Sequence, residues 1–149
     1  MTPVEIDPKV ITQRAFWIPQ MMDSLKDLRL EEKEAFLADR HKVAAAESYL
    51  RRALEALFDI GRHILAKKFA YPTIEYKEIA KGLFEKGVLV ERETELMRKM
   101  AGYRNRMVHF YHEITPEELH EICLYHLSEI KLLTDKLIKW IKEHGNITL

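Results

Sequence analysis

Between Asp39 and Leu65 the apolar residues Val43, Ala46, Leu50, Ala53, Leu54, Leu57, Ile60, Ile64 and Leu65 recur at steps of three and four. That spacing gathers side chains on one face of an α-helix. Strict apolar–polar alternation, the mark of a half-buried strand, occurs nowhere in the chain, and neither does an internal repeat or a low-complexity tract. A long helix with so extended an apolar face belongs in a helical bundle.

Start and stop signals divide the remainder. Asp7-Pro8 reads as an N-cap with proline at the first helical position. The helix it opens extends to about Leu28, with Pro19 marking a kink or break. Leu30 to Leu37 reads as a short helical turn, and Phe69-Ala70-Tyr71-Pro72-Thr73 ends the long helix. Ile74 to Glu85 forms another helix, which Gly87 can close. Glu91 opens the next, through Leu96, Met97 and Met100 to the neighbourhood of His109. Thr115-Pro116-Glu117-Glu118 combines a threonine cap, a first-position proline and a capping-box glutamate. The last helix then carries Leu119, Ile122, His126 or Leu127, Ile130, Leu133, Leu137 and Ile141, and Gly145 ends it. The expectation is one all-α domain over residues 1–149, an up-and-down bundle of four long helices plus one or two short ones.

Composition excludes some classes. With 47% hydrophobic and 32% charged residues the chain is too apolar to be disordered. Its 24 basic and 24 acidic residues cancel, so only a local basic patch can argue for nucleic acid. The lone Cys123 excludes a disulfide framework, fits a reducing compartment and reads as a small core residue. No apolar run approaches the ~18 residues of a membrane span, and the start lacks the pattern of a signal peptide. A cytoplasmic protein without a membrane segment is expected.

Polar density is greatest between Arg98 and Glu113, a stretch holding Arg98, Lys99, Tyr103, Arg104, Arg106, His109, Tyr111 and His112. Charge alone makes this a solvated helix end whose cations complement the dipole. Spacing allows more. At 100° per residue Arg104 and Tyr111 nearly share a face, whereas His109 falls about 140° from Arg104 on an unbroken helix. Either the helix unwinds before Thr115, or two copies of the segment face one another across a two-fold axis.

Arg104, His109 and Tyr111 match the Arg-x4-His-x-Tyr signature of HEPN domains, and with Gly102-Tyr103-Arg104-Asn105 and Val108-His109 around it the chain resembles the HepT-like toxins. The segment Ala56-Leu57-Phe58-Asp59-Ile60-Gly61-Arg62-His63 is similar to that family's second helix. The resemblance spans nearly the whole chain; the extra His112 departs from it, and the motif role goes to His109.

This resemblance implies a metal-independent endoribonuclease that needs no cofactor and works as a homodimer with a composite cleft. The residue types suit that chemistry. Cleaving RNA through its own 2′-hydroxyl needs one proton removed and one delivered, and an imidazole with an ordinary pKa of ~6.5 can do either. Arg104 is a fixed cation for the phosphate, Asn105 orients the scissile group or the histidine, and Arg98, Lys99 and Arg106 track the RNA backbone. The resemblance also implies a partner, a minimal nucleotidyltransferase (MNT) antitoxin that adenylylates Tyr111 and so blocks the cleft. The alternative is a non-catalytic HEPN module that pairs with such a nucleotidyltransferase and binds nucleotide.

Other constellations carry less. Glu117-x-x-His120 has the spacing of a di-iron bundle, but no second copy accompanies it. His109, His112 and Glu113 lack the further ligands of a zinc site, so no metal is expected. Asp59 and His63, four apart, face the same way and either pair on the surface or support the cleft. His41, His120, His126 and His144 read as surface or core filler. Without a Gly-rich phosphate loop, any nucleotide must be held by side chains.

Overall fold

The structure, a computed structural model, describes residues 5–109, 114–145, 147 and 149. Among them lie seven helices and no strand: α1 (Pro8–Lys26), α2 (Lys33–Ala38), α3 (Arg40–Phe69), α4 (Tyr76–Glu85), α5 (Glu91–Val108), α6 (Pro116–Tyr125) and α7 (Leu127–His144). The all-α expectation holds, with α1, α3, α5 and α7 as the long members. No helix among the described residues is long and apolar enough to cross a membrane.

Local chemistry sets most of the ends. The Asp7 carboxylate accepts from the Lys9 N–H at 2.9 Å, and Asp39 accepts from His41 and Lys42 at 3.0 and 3.2 Å. Each satisfies donors that a first helical turn leaves open. At the end of α3, Ala70 turns left-handed (φ 48°) and the Tyr71 N–H reaches back to the Leu65 carbonyl at 3.0 Å. Gly87, at φ 77°, closes α4. There Val88 donates to the Leu83 carbonyl and Gly87 to that of Phe84, the paired bonds of a Schellman end.

Tertiary forces override the local reading at three places. Helix α1 runs unbroken through Pro19. The ring sits on the exposed side, and Ile11, Ile18, Met21 and Leu25, buried on the other, outweigh one missing donor. The last helix is divided at His126 (φ −115°, ψ 4°), where no Gly or Pro stands. The His126 ring pairs there with Glu129 at 2.9 Å, and Lys99 from α5 holds the same carboxylate at 2.5 Å. Thr115 caps α6 by accepting from the Glu118 N–H at 3.2 Å, but Glu118 does not return the bond. Its carboxylate takes two bonds from Arg106, at 2.6 and 2.5 Å, and charge assistance makes these the stronger choice.

Helix α3 touches each of the other six helices. From Ala53 to Gly61 every residue is buried except Glu55 and Asp59, so a helix enclosed by the bundle keeps one polar stripe. The core around it also takes Cys123, whose thiol burial pushes up to about 12. His120 is a core residue too, its Nε2 against the Leu30 carbonyl at 2.5 Å and its ring beside Phe36. Helix α4 approaches α3 closely at Gly61, where an added Cβ would stand 3.0 Å from Leu83 and 3.2 Å from Ile79. Gly61→Val is therefore expected to overpack this crossing and cost about 1–3 kcal/mol. The readout is a lower urea midpoint at unchanged slope; an unchanged midpoint would mean that α4 gives way freely.

Candidate functional site

The polar stripe of α3 consists of Arg51, Glu55, Asp59, Arg62 and His63, and α5 lays Arg104 against it. Arg104 Nη2 donates to Glu55 Oε2 at 3.3 Å, and its guanidinium lies 4.2 Å from the centre of the Tyr76 ring. Tyr76 is in turn stacked on Phe58, 4.5 Å between ring centres. Its hydroxyl pKa is raised, because burial outweighs the opposing pull of Arg104. Arg104 is only 24% exposed, and its Nε–H is buried without an acceptor. The cation is thus set between a carboxylate and an aromatic face, where a planar guanidinium can lie on the ring and donate from its edge at once.

Glu55 serves two guanidinium groups. Its Oε1 accepts from Arg51 at 2.8 Å, closer than its contact with Arg104. An anion arriving at Arg104 can displace the longer contact while Glu55 stays neutralised by Arg51. Positive charge is therefore available here without stranding a carboxylate.

The helix that carries Arg104 ends at Val108. His109 is its C-cap in an extended conformation (φ −107°, ψ 119°), with its N–H on the Asn105 carbonyl at 3.1 Å and its side chain exposed. The helix does unwind before Thr115, yet Arg104 turns inward toward α3 while His109 faces outward, and no hydrogen bond joins them. Asn105 places its Oδ1 3.5 Å from Arg104 Nη1, at the edge of hydrogen-bonding distance. Tyr111 and His112 lie outside the described residues.

The remaining candidates divide. Asp59 and His63 do not pair with each other. Asp59 accepts from Arg14 at 2.9 Å and from Arg62, tying α1 to α3 one turn beyond Glu55. His63 Nε2 accepts the Asp7 N–H at 3.0 Å, at the start of α1. Arg98 is exposed and makes no ion pair among the described residues. Lys99 is held by Glu129 and Arg106 by Glu118, and Arg106 keeps the Glu118 carboxyl below its ordinary value. The sequence reading missed Glu55 and Tyr76. The four-residue step from Arg51 through Glu55 to Asp59, polar within an apolar helix, was the signal for the first; Tyr76 had none.

A family model described as "Ribonuclease HepT-like" matches residues 18–137. The tRNA nuclease HepT of Aphanizomenon flos-aquae (strain 2012/KM1/D3) is 24% identical over 136 residues, covering 91% of this chain and 92% of that protein. The tri-AMPylated HEPN toxin of Shewanella oneidensis, solved in complex with an MNT antitoxin, superposes with a TM-score of 0.79 at 20% identity over 89% of this chain and 98% of that one. A toxin–antitoxin structure with AMP-PNP gives a TM-score of 0.79 at 18% identity, covering 88% of this chain and 99% of that one.

The His63 contact yields a pH dependence. As an acceptor from a backbone N–H the imidazole is neutral, and burial, aided by Lys67, lowers its pKa against the pull of Asp7. The unfolded chain then binds the proton more readily than the folded one. This contribution to stability is complete above the ordinary histidine value of ~6.5 and is lost as pH falls from there through the depressed folded value. Urea midpoints on either side of that window should differ more for the native chain than for His63→Gln, whose amide oxygen can still accept. Equal pH slopes for the two would contradict the assignment.

Proposed function

We propose that this chain, which belongs to the HepT-like ribonuclease family, is the toxin of a HEPN/MNT toxin–antitoxin pair: a metal-independent endoribonuclease that cuts RNA at a cleft shared by two copies and is silenced by adenylylation of Tyr111. The observation that carries this reading is the placement of Arg104 between Glu55 and Tyr76, with His109 at the end of the same helix. The Aphanizomenon tRNA nuclease and the Shewanella toxin with its MNT antitoxin support it as relatives.

The chemistry balances without further groups. One His109 imidazole takes the proton of the ribose 2′-hydroxyl as the O2′–P bond forms. The P–O5′ bond breaks, and a second imidazole, His109 of the other copy in imidazolium form, supplies a proton to O5′. The products are a 2′,3′-cyclic phosphate and a free 5′-hydroxyl. Arg104 binds the phosphate while negative charge gathers on its equatorial oxygens, having exchanged Glu55 for the substrate. Asn105, through its carbonyl bond to the His109 N–H, holds the end of α5 from which the imidazole projects. Asp59 and His63 support the site by fixing α1 against the α3 stripe. Arg98 offers an exposed cation to the RNA backbone, while Lys99 and Arg106 serve only as far as RNA phosphate competes with Glu129 and Glu118. An adenylyl group on Tyr111 would bring phosphate to the same cation that the substrate needs.

Single-stranded RNA incubated with the chain in chelator should be cut to cyclic-phosphate ends, and His109→Ala or Arg104→Ala should slow this by a factor on the order of 10²–10⁴. The preparation is first shown by intact mass to be free of adenylylation. Equal background from all three proteins would end the ribonuclease reading and leave the non-catalytic partner module.

A further inference from the structure

Helices α1 and α3 enclose an open groove of about 570 Å³ beside the site. Glu55 and Asp59 lie on its α3 wall, so the groove and the Arg104 site share a residue. Its α1 wall presents Phe16 and Trp17, which are 64% and 38% exposed although neighbouring α1 residues are buried in the core. Gln13 and Gln20 line the groove with the two aromatic residues, and a second depression, which shares Gln13 and Phe16 with it, is lined by Thr12 and Lys9.

Charge around this groove is unlike that of the chain as a whole. The chain is neutral overall. Here Arg14, Arg51, Arg52, Arg62 and Arg104 surround Glu55 and Asp59, five guanidinium groups for two carboxylates. Arg52 is exposed at the rim and makes no ion pair among the described residues. By contrast Lys99 and Arg106, on α5, are each neutralised by a glutamate. An excess of guanidinium beside exposed aromatic rings is the composition of a surface for single-stranded nucleic acid, where rings stack on bases and cations follow the backbone.

We propose that the α1–α3 groove is the track for unpaired RNA leading to the cleavage site, with Phe16 and Trp17 stacking on bases and Arg52 holding a backbone phosphate. This rests on the ribonuclease reading and adds to it the path of the strand. RNA so bound runs over α1 and α3 and meets Arg104 by way of Glu55, and a duplex, whose bases are already stacked on each other, gains nothing from the two rings.

The test uses the full chain carrying His109→Ala, so that RNA stays intact, and Trp140→Phe, so that Trp17 is the only indole. Titration with a short single-stranded oligonucleotide should quench Trp17 emission, and the matching duplex should bind more weakly. Trp17→Leu, followed by a labelled oligonucleotide, should weaken binding about tenfold. Arg52→Gln should weaken it less and lower the slope of log affinity against log salt by about one. Sedimentation should show both variants folded and assembled as the parent is. Folded variants that bind with the parent's affinity and salt slope would overturn the proposal. So would a Trp17→Leu chain whose assembly changes while its RNA affinity does not, which would give the groove to a second copy. If the wild-type chain cuts RNA while the groove variants bind like the parent, only the groove is lost. A wild-type chain that neither binds nor cuts RNA removes the ribonuclease reading and this one together.

Discussion

The burial of α3 on nearly every side orders the rest of the structure. A helix that touches six others must be apolar over most of its circumference, and Ala53, Leu54, Ala56, Leu57, Phe58, Ile60 and Gly61 meet that demand in succession. What cannot be apolar is confined to one stripe. Glu55 and Asp59 occupy it, partly exposed, and each draws guanidinium groups from a different helix: Arg104 from α5 and Arg14 from α1. Packing thus fixes where charge can stand, and the position of the candidate site follows from the core.

Within the stripe, one interaction sets the balance of charge. Arg104 is held by Glu55 at 3.3 Å and by the face of Tyr76, while Arg51 holds Glu55 at 2.8 Å. Two cations on one carboxylate leave the site positively biased within a neutral chain. A half-buried carboxylate without Arg51 would resist losing Arg104 to a phosphate; with Arg51 present the exchange strands no charge. His109 stands apart because α5 ends before it, and its side chain is turned to solvent. A cation facing inward and an imidazole facing outward on one chain are what the proposed two-copy cleft would bring together.

The helices were legible in the sequence wherever apolar spacing or capping chemistry set them: the long α3, the Asp7-Pro8 and Asp39 starts, and the end at Gly87. The break at His126 was not, since Glu129 and Lys99 support it through space and neither lies at a helix-breaking residue. Glu118 followed the capping rule in position but not in bonding, because Arg106 offered a charged partner. Arg104, Asn105 and His109 announced themselves by type and spacing, whereas their surroundings did not. Tyr76 reaches Arg104 only because α4 folds back over α3, and the basic groove needs α1 and α3 side by side. The net charge of zero concealed it.

The most direct measurement is the activity of mixed dimers. Wild-type and His109→Ala chains are unfolded together in equal amounts, refolded as a mixture, and assayed on single-stranded RNA. If each cleft takes its base from the His109 of one copy and its acid from that of the other, a mixed dimer has no complete cleft. With about one quarter of the dimers wild-type on both sides, activity should fall to about one quarter of that given by the same total amount of wild-type chain. Activity near one half, as expected of chains that act independently, would contradict a shared site.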